Sequence, residues 1–244
     1  TKYAFEPSEE LELPVLVRIT TRVNHARGVV TLDNIKEPQR DGHFDKDPAR
    51  FVQVPQNAVR NHPKLLEKMD KAEKISESSE FTELFEVDDP ELKVISSGAG
   101  FNYVMEAKDK HDIPISILKL GMTNPLPKER IVDFIKDAER VLIVEELEPF
   151  LEDKITAIAK DVNPELEIYG KHTEHFSRLY EYNPDRINEA LSKLIDLEIE
   201  DEPLGVDEYD LPSRPPSLCP GCPHRATYYA VKKALGNEEA VYSS

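Results

Sequence analysis

The chain has 244 residues, 39% hydrophobic and 32% charged, enough for one large domain or two ordinary ones with real cores, which excludes a disordered tail. Its net charge of −17, from 31 basic and 48 acidic residues, repels nucleic acid and anionic lipid and argues against either as a partner. No apolar run of about 20 residues could span a bilayer and no charged-then-apolar signal stretch opens the chain, so a soluble, cytoplasmic protein is expected.

The first residues, "TKYAFEPSEELELPVLVRIT", carry no initiator methionine, and the last, "GNEEAVYSS", read as a strand in the making; an internal fragment of a longer protein is the expectation. Leu13 to Thr20 is an apolar run of strand length, followed by the polar turn "TTRVNHARG" and a second β-branched run from Val29 to Leu32. Both read as buried strands. Thr20, Thr21, Arg22 and His25 then sit at the carboxyl end of a strand, where α/β folds gather ligands; an arginine with hydroxyls there can hold an oxoacid carboxylate or coenzyme A, or can serve a domain interface. From Asp33 to Pro63 prolines and charges interrupt any period, which predicts an extended connection over a surface, with a helix from Pro63 to about Ser78. "SESSEFTEL" breaks that pattern.

From Leu92 strand and helix periods alternate. "LKVISSGAG", "IPISILKLG", "RVLIVEEL" and "LEIYGK" read as strands, with helices at "FNYVMEAKDKH", "LPKERIVDFIKDA" and "PFLEDKITAIAKDV" between them. Ile131, Phe134, Ile135 and Ala138 form one apolar stripe, and Leu151, Ile155, Ile158, Ala159 and Val162 another. Asn183 before Pro184 is an N-cap with proline at the first helical position, opening a helix whose stripe is Ile187, Ala190, Leu191, Leu194 and Ile195. The alternation predicts a parallel, three-layer α/β/α domain over residues 92–196. The turn at Gly98 resembles a dinucleotide fingerprint but lacks its third glycine, and reads as a tight strand-to-helix turn. Glu145, Glu146 and Glu148 suggest acid–base work or a cap for the following helix, the cap being preferred; His172 and His175 read as an exposed polar loop.

The acidic, proline-rich stretch "IEDEPLGVDEYDLPSRPPS" predicts a linker, after which "ATYYAVKKAL" reopens a helix. In the turn before it stand the only two cysteines, Cys219 and Cys222. Thiolates at this spacing, bounded by proline and glycine at a helix N-terminus, can face one metal. Three readings stay open from spacing alone: two free thiols, a zinc site with His224 and a further ligand, or part of an iron–sulfur cluster completed from elsewhere.

The wider residues carry a resemblance. "CPGCPHRATYYAVKKAL" after "RPPSL" resembles the segment that opens the diphosphate-binding domain of the large subunit of indolepyruvate ferredoxin oxidoreductases, members of the thiamine diphosphate-dependent 2-oxoacid:ferredoxin oxidoreductase superfamily. "LPVLVRITTRVNHARGVV" resembles the end of that family's pyrimidine-binding domain, "FVQVPQNAVRNHPKLLEKM" its connector, and "LKVISSGAGFNYVMEA" the opening of its transketolase C-terminal-like domain.

The resemblance implies five parts: 1–32 the end of the pyrimidine-binding domain, 33–91 a connector with a helix, 92–196 the middle domain, 197–216 a linker, and 217–244 the start of the diphosphate-binding domain. It further implies an oxidoreductase that oxidatively decarboxylates aryl pyruvates such as indolepyruvate to aryl-acetyl-coenzyme A. Its cofactors would be thiamine diphosphate, magnesium and iron–sulfur clusters of the 4Fe–4S type. Its partners would be a small beta subunit, coenzyme A and ferredoxin as electron acceptor, with a place in amino acid catabolism. Relatives within the superfamily use a matching CxxC to ligate the cluster nearest thiamine, which makes Cys219 and Cys222 candidate ligands. The Gly-Asp-Gly segment that holds magnesium in thiamine enzymes does not occur among these 244 residues, so no catalytic residue is assigned and the fragment alone is expected to be inactive. The rival expectation is a noncatalytic α/β interaction module with a structural zinc turn.

Overall fold

A computed structural model describes residues 2–26, 28–32, 34, 46–196, 217, 218 and 220–238. The chain divides into two compact units, Thr1–Ile199 and Glu200–Ser244.

In the first unit a 3-10 turn (Lys2–Ala4) leads into α1 (Phe5–Leu11), α2 (Thr21–His25), α3 (Pro48–Phe51) and the long α4 (Pro55–Ser78). There follow β1 (Glu83–Phe85), β2 (Leu92–Ser97), α5 (Gly98–His111), β3 (Ile115–Leu120), α6 (Lys128–Ile135), β4 (Arg140–Val144), α7 (Phe150–Val162), β5 (Glu167–Tyr169) and α8 (Pro184–Ser192). The sheet runs β1-β3-β2-β4-β5. β2 pairs in parallel with β3 and β4, and β4 with β5, whereas β1 is an antiparallel edge that the broken pattern of "SESSEFTEL" did not announce. The sheet is therefore mostly parallel, as the alternation of periods predicts.

Alternation along the strands feeds two cores. Val94, Ile115, Ile117, Leu142 and Val144 pack on one face with Val104 of α5 and Ile187, Ala190 and Leu191 of α8. Ile95, Leu118, Leu120, Val141 and Ile143 pack on the other with Ile131, Phe134 and Ile135 of α6 and Leu151, Ile155 and Ala159 of α7. Each fully buried isoleucine or leucine contributes about 1.5–3 kcal/mol. The helical stripes read from the sequence are the buried faces, save Val162, which is 37% exposed at the end of α7. Asn183 caps α8 as expected, its side chain accepting from the Arg186 amide at 3.0 Å.

Two expectations are corrected. Residues 14–20 and 28–32 belong to no helix or strand, and Leu16 (92%), Val29 (104%) and Leu32 (89%) are open to solvent. A β-branched run makes a strand only when a neighbouring strand takes its backbone donors and acceptors, and the described residues offer none. The long helix, expected from Pro63, starts eight residues earlier with Pro55 at its first position and carries Pro63 inside. The missing amide of Pro63 removes the helical donor of the Val59 carbonyl, and both residues are exposed, where a carbonyl is open to hydration.

The C-terminal end of α4 is fastened to the sheet domain. α6 has Pro127 at its N-cap and no side-chain cap of its own; the Glu77 carboxylate of α4 accepts from the Glu129 amide at 2.6 Å and the Arg130 amide at 3.3 Å. Arg130 returns the contact by donating to the carbonyls of Ser79 and Thr82 at 3.3 and 2.6 Å. In the second unit α9 (Pro223–Leu235) has no buried residue and presents Tyr228 and Tyr229 to solvent.

Candidate functional site

Three groups of residues carry chemistry. Thr20 and Thr21 meet at the start of α2: Thr20 is its N-cap in extended conformation, its carbonyl accepting from Asn24 at 3.0 Å, and its side chain makes no cap bond. Thr21 and His25 are exposed and the Arg22 side chain lies outside the described residues. Thr21, Arg22 and His25 thus lie on one five-residue helix with Thr20 as its N-cap, preceded by a segment outside the sheet where a buried strand was expected. Thr20 itself is half-buried.

At the start of α9, Cys219 lies outside the described residues, and Cys222 is a free cysteine at the N-cap. Gly221 takes φ +77°, a left-handed backbone that favours glycine, and Pro223 occupies the first helical position. The Arg225 amide and, after it, the His224 ring lower the Cys222 thiol pKa; Sγ stands 3.5 Å from His224 Nδ1. A thiol so placed is a competent soft-metal ligand or redox thiol. His224 Nδ1 faces that sulfur, and no group of three or more metal-binding side chains forms among the described residues.

The third group stands at the carboxyl edge of the sheet. Glu145 follows β4 and is 7% exposed; its carboxylate accepts from the Leu151 and Glu152 amides at 2.8 and 2.9 Å and so caps α7, the role preferred from sequence. Burial raises its pKa, the two amide bonds opposing. Glu152, 2% exposed, accepts from the Lys171 and His172 amides at 2.7 and 3.0 Å. Lys171 donates to the Glu145 carbonyl, and burial lowers its pKa despite the surrounding glutamates. His172, read as loop, hydrogen-bonds Asp153 at 2.6 Å, which raises its pKa, while His175 bonds Thr173. Sequence reasoning missed Glu152, Asp153, Lys171 and Tyr182 here. Glu152 did leave a signal: with Ile155 and Ala159 it falls at i, i+3, i+7, an acid on the buried stripe.

The turn at Gly98 is the expected strand-to-helix corner: Gly98 takes φ +59°, and a Cβ at Gly100 would lie 3.1 Å from Val144 Cγ1, so glycine lets α5 sit against the end of β4.

No family model matches the chain. The indolepyruvate oxidoreductase subunit IorA of Methanothermobacter thermautotrophicus is 43% identical over 239 residues, 97% of this chain and 38% of that protein. IorA of Thermococcus kodakarensis is 39% identical over 256 residues, 100% of this chain and 39% of its own, and that of Archaeoglobus fulgidus 33% identical over 241 residues, 96% and 38%. The chain therefore spans less than two fifths of the length of these relatives. Among solved structures, a 2-oxoglutarate:ferredoxin oxidoreductase from Magnetococcus marinus has a TM-score of 0.40 at 13% identity, over 58% of this chain and 24% of that one.

Proposed function

Since the chain belongs to the family of the indolepyruvate oxidoreductase subunit IorA, we propose that it is part of an oxidoreductase that oxidatively decarboxylates aryl pyruvates, indolepyruvate first among them, to aryl-acetyl-coenzyme A with ferredoxin as electron acceptor. The identity of 33–43% across 95–100% of its length carries this reading. Residues 1–32 would complete a pyrimidine-binding domain, 33–91 connect it, 92–196 form the middle domain, 197–216 link onward, and 217–244 open a diphosphate-binding domain. The small beta subunit is the proposed partner, and the cytoplasm the proposed location; among the described residues no helix is long and apolar enough to cross a membrane.

Within this scheme the chain supplies positioning more than chemistry. Thiamine diphosphate with magnesium would supply the electron sink for decarboxylation, from residues beyond this segment. Thr20, Thr21, Arg22 and His25 would hold the oxoacid carboxylate or coenzyme A. Cys219 and Cys222 would hold an iron–sulfur cluster that supplies one-electron transfer. The depressed pKa of Cys222 suits that ligation, because a thiolate and not a thiol binds metal.

The test uses the full-length protein with its partner subunit, prepared without oxygen. Indolepyruvate and coenzyme A together should reduce ferredoxin, faster than pyruvate does. An iron-replete preparation that leaves ferredoxin oxidised with every aryl pyruvate would sink the reading. Replacing Cys219 and Cys222 together by serine should lower the iron bound per chain; unchanged iron removes the cluster role and leaves the activity question to the first measurement.

A further inference from the structure

Residues 170–182, between β5 and α8, cross the carboxyl end of β4; besides the Leu179 carbonyl, which accepts from Arg186 of α8 at 2.8 Å, their polar fastenings named here come from one short run, residues 145–153. Glu152 takes the Lys171 and His172 amides, Asp153 the His172 ring, and the Glu145 carbonyl the Lys171 ammonium. Glu148 grips Arg178 at 2.5 Å and Glu146 accepts from the Tyr182 amide at 2.9 Å. Inside the segment, the Gly170 carbonyl accepts from His175 and Phe176, making a compact turn. Phe176 and Tyr182 stack with centroids 4.8 Å apart and plug the core on the α5 side.

The arrangement is held at a cost. The Tyr182 hydroxyl, on a residue 0% exposed, has no hydrogen-bond partner among the described residues, and burial opposes the charges of both Lys171 and Glu145. Leu147, Glu174 and Tyr180 adopt φ of 64°, 59° and 66°, an uncommon backbone for non-glycine residues, and all three lie in the two runs that meet here. Leu147, Phe150, Leu179 and Tyr180 remain substantially exposed around the junction. Strain, a stranded hydroxyl and fastening by side chains instead of a strand ladder place this segment at the low-stability end of the fold.

We propose that residues 170–182 are a strap that opens as one unit over the carboxyl edge of the sheet while the five strands stay paired. The edge has a particular character. Strand order reverses between β2 and β4, since the connection after β2 leads to β3 on one side and that after β4 to β5 on the other. In open α/β sheets the crevice at that reversal, beyond the carboxyl ends, is where ligands are admitted. The closed strap is a bar beside it, and release bares the end of β4 next to the Gly98 corner.

Native-state hydrogen exchange on the full chain in low denaturant tests the strap. The amides of Lys171, His172 and Tyr182 should share one opening free energy and one denaturant dependence, exchanging at least about tenfold faster than those of Val94 and Leu142. Exchange of all five amides together, only on global unfolding, overturns the proposal; so does separate opening of the three strap amides. The variant Glu146→Ala, which removes the acceptor at the far end of the strap, should speed exchange at Lys171 and His172 by about tenfold as well as at Tyr182. A change confined to Tyr182 shows that the segment is no unit. Should that variant fail to fold, exchange in the unaltered chain decides.

Discussion

Cys222 shows how little chain is needed to tune a thiol. One glycine with a left-handed φ, one proline that opens a helix, and the amides of the first turn bring the sulfur to a point where hydrogen bonds favour its anion. The direction of the effect fixes a pH profile: a thiol whose pKa is lowered ionises earlier as pH rises, and its alkylation rate climbs with the thiolate. In a Cys219→Ser background the iodoacetamide rate of Cys222 should reach half its plateau below the ordinary thiol value of about 8.5, and His224→Ala should move that midpoint upward. A midpoint indifferent to His224 would mean that the 3.5 Å contact does nothing to the sulfur. The cysteine pair was legible because rare residues at fixed spacing stand out against their surroundings. Lys171 and Tyr182 were not, because a lysine after glycine and a tyrosine before asparagine have no spacing that marks them, and only the fold brings them beside Glu145.

Among the elements, the stripes on α6, α7 and α8 could be read directly, since the 3.6-residue period is a property of the chain itself. The strand expected over Leu13–Thr20 failed for the complementary reason: a strand is a relation between two segments, and a single run of apolar residues states only one side of it. The early start of α4 lay equally out of reach, because Pro63 looks like a helix opening and becomes an interior residue only when its lost bond can face water. What holds α4 to the rest is likewise a relation: the Glu77 carboxylate caps amides 52 and 53 residues further on, at the start of α6. Glu77→Ala should therefore cost about 1 kcal/mol in chemical denaturation, the usual value of a cap, although Glu77 is in another helix altogether. Glu77→Gln, which keeps an acceptor, should recover part of that loss. Equal stability of Glu77→Ala and the parent would show that water replaces the carboxylate without loss.

For the whole molecule, the chain divides into two compact units between residues 199 and 200, and the linker proposed from composition spans 197–216. Limited proteolysis should cut first between Asp196 and Pro216 and leave 92–196 whole. Early cuts between 131 and 160, within α6, β4 and α7, would contradict the buried faces of those elements. The two interiors on either side of the sheet have a consequence for how such a sequence can vary. Val94 and Ile95 are neighbours in the chain, yet one packs against α5 and α8 and the other against α6 and α7. A methyl group lost from one of these interiors can be replaced only by a partner on the same side, so compensating substitutions should cluster within a face and almost never bridge adjacent strand positions. The two sides of the sheet are thereby free to drift apart in sequence at different rates, with the strand backbone as their common boundary.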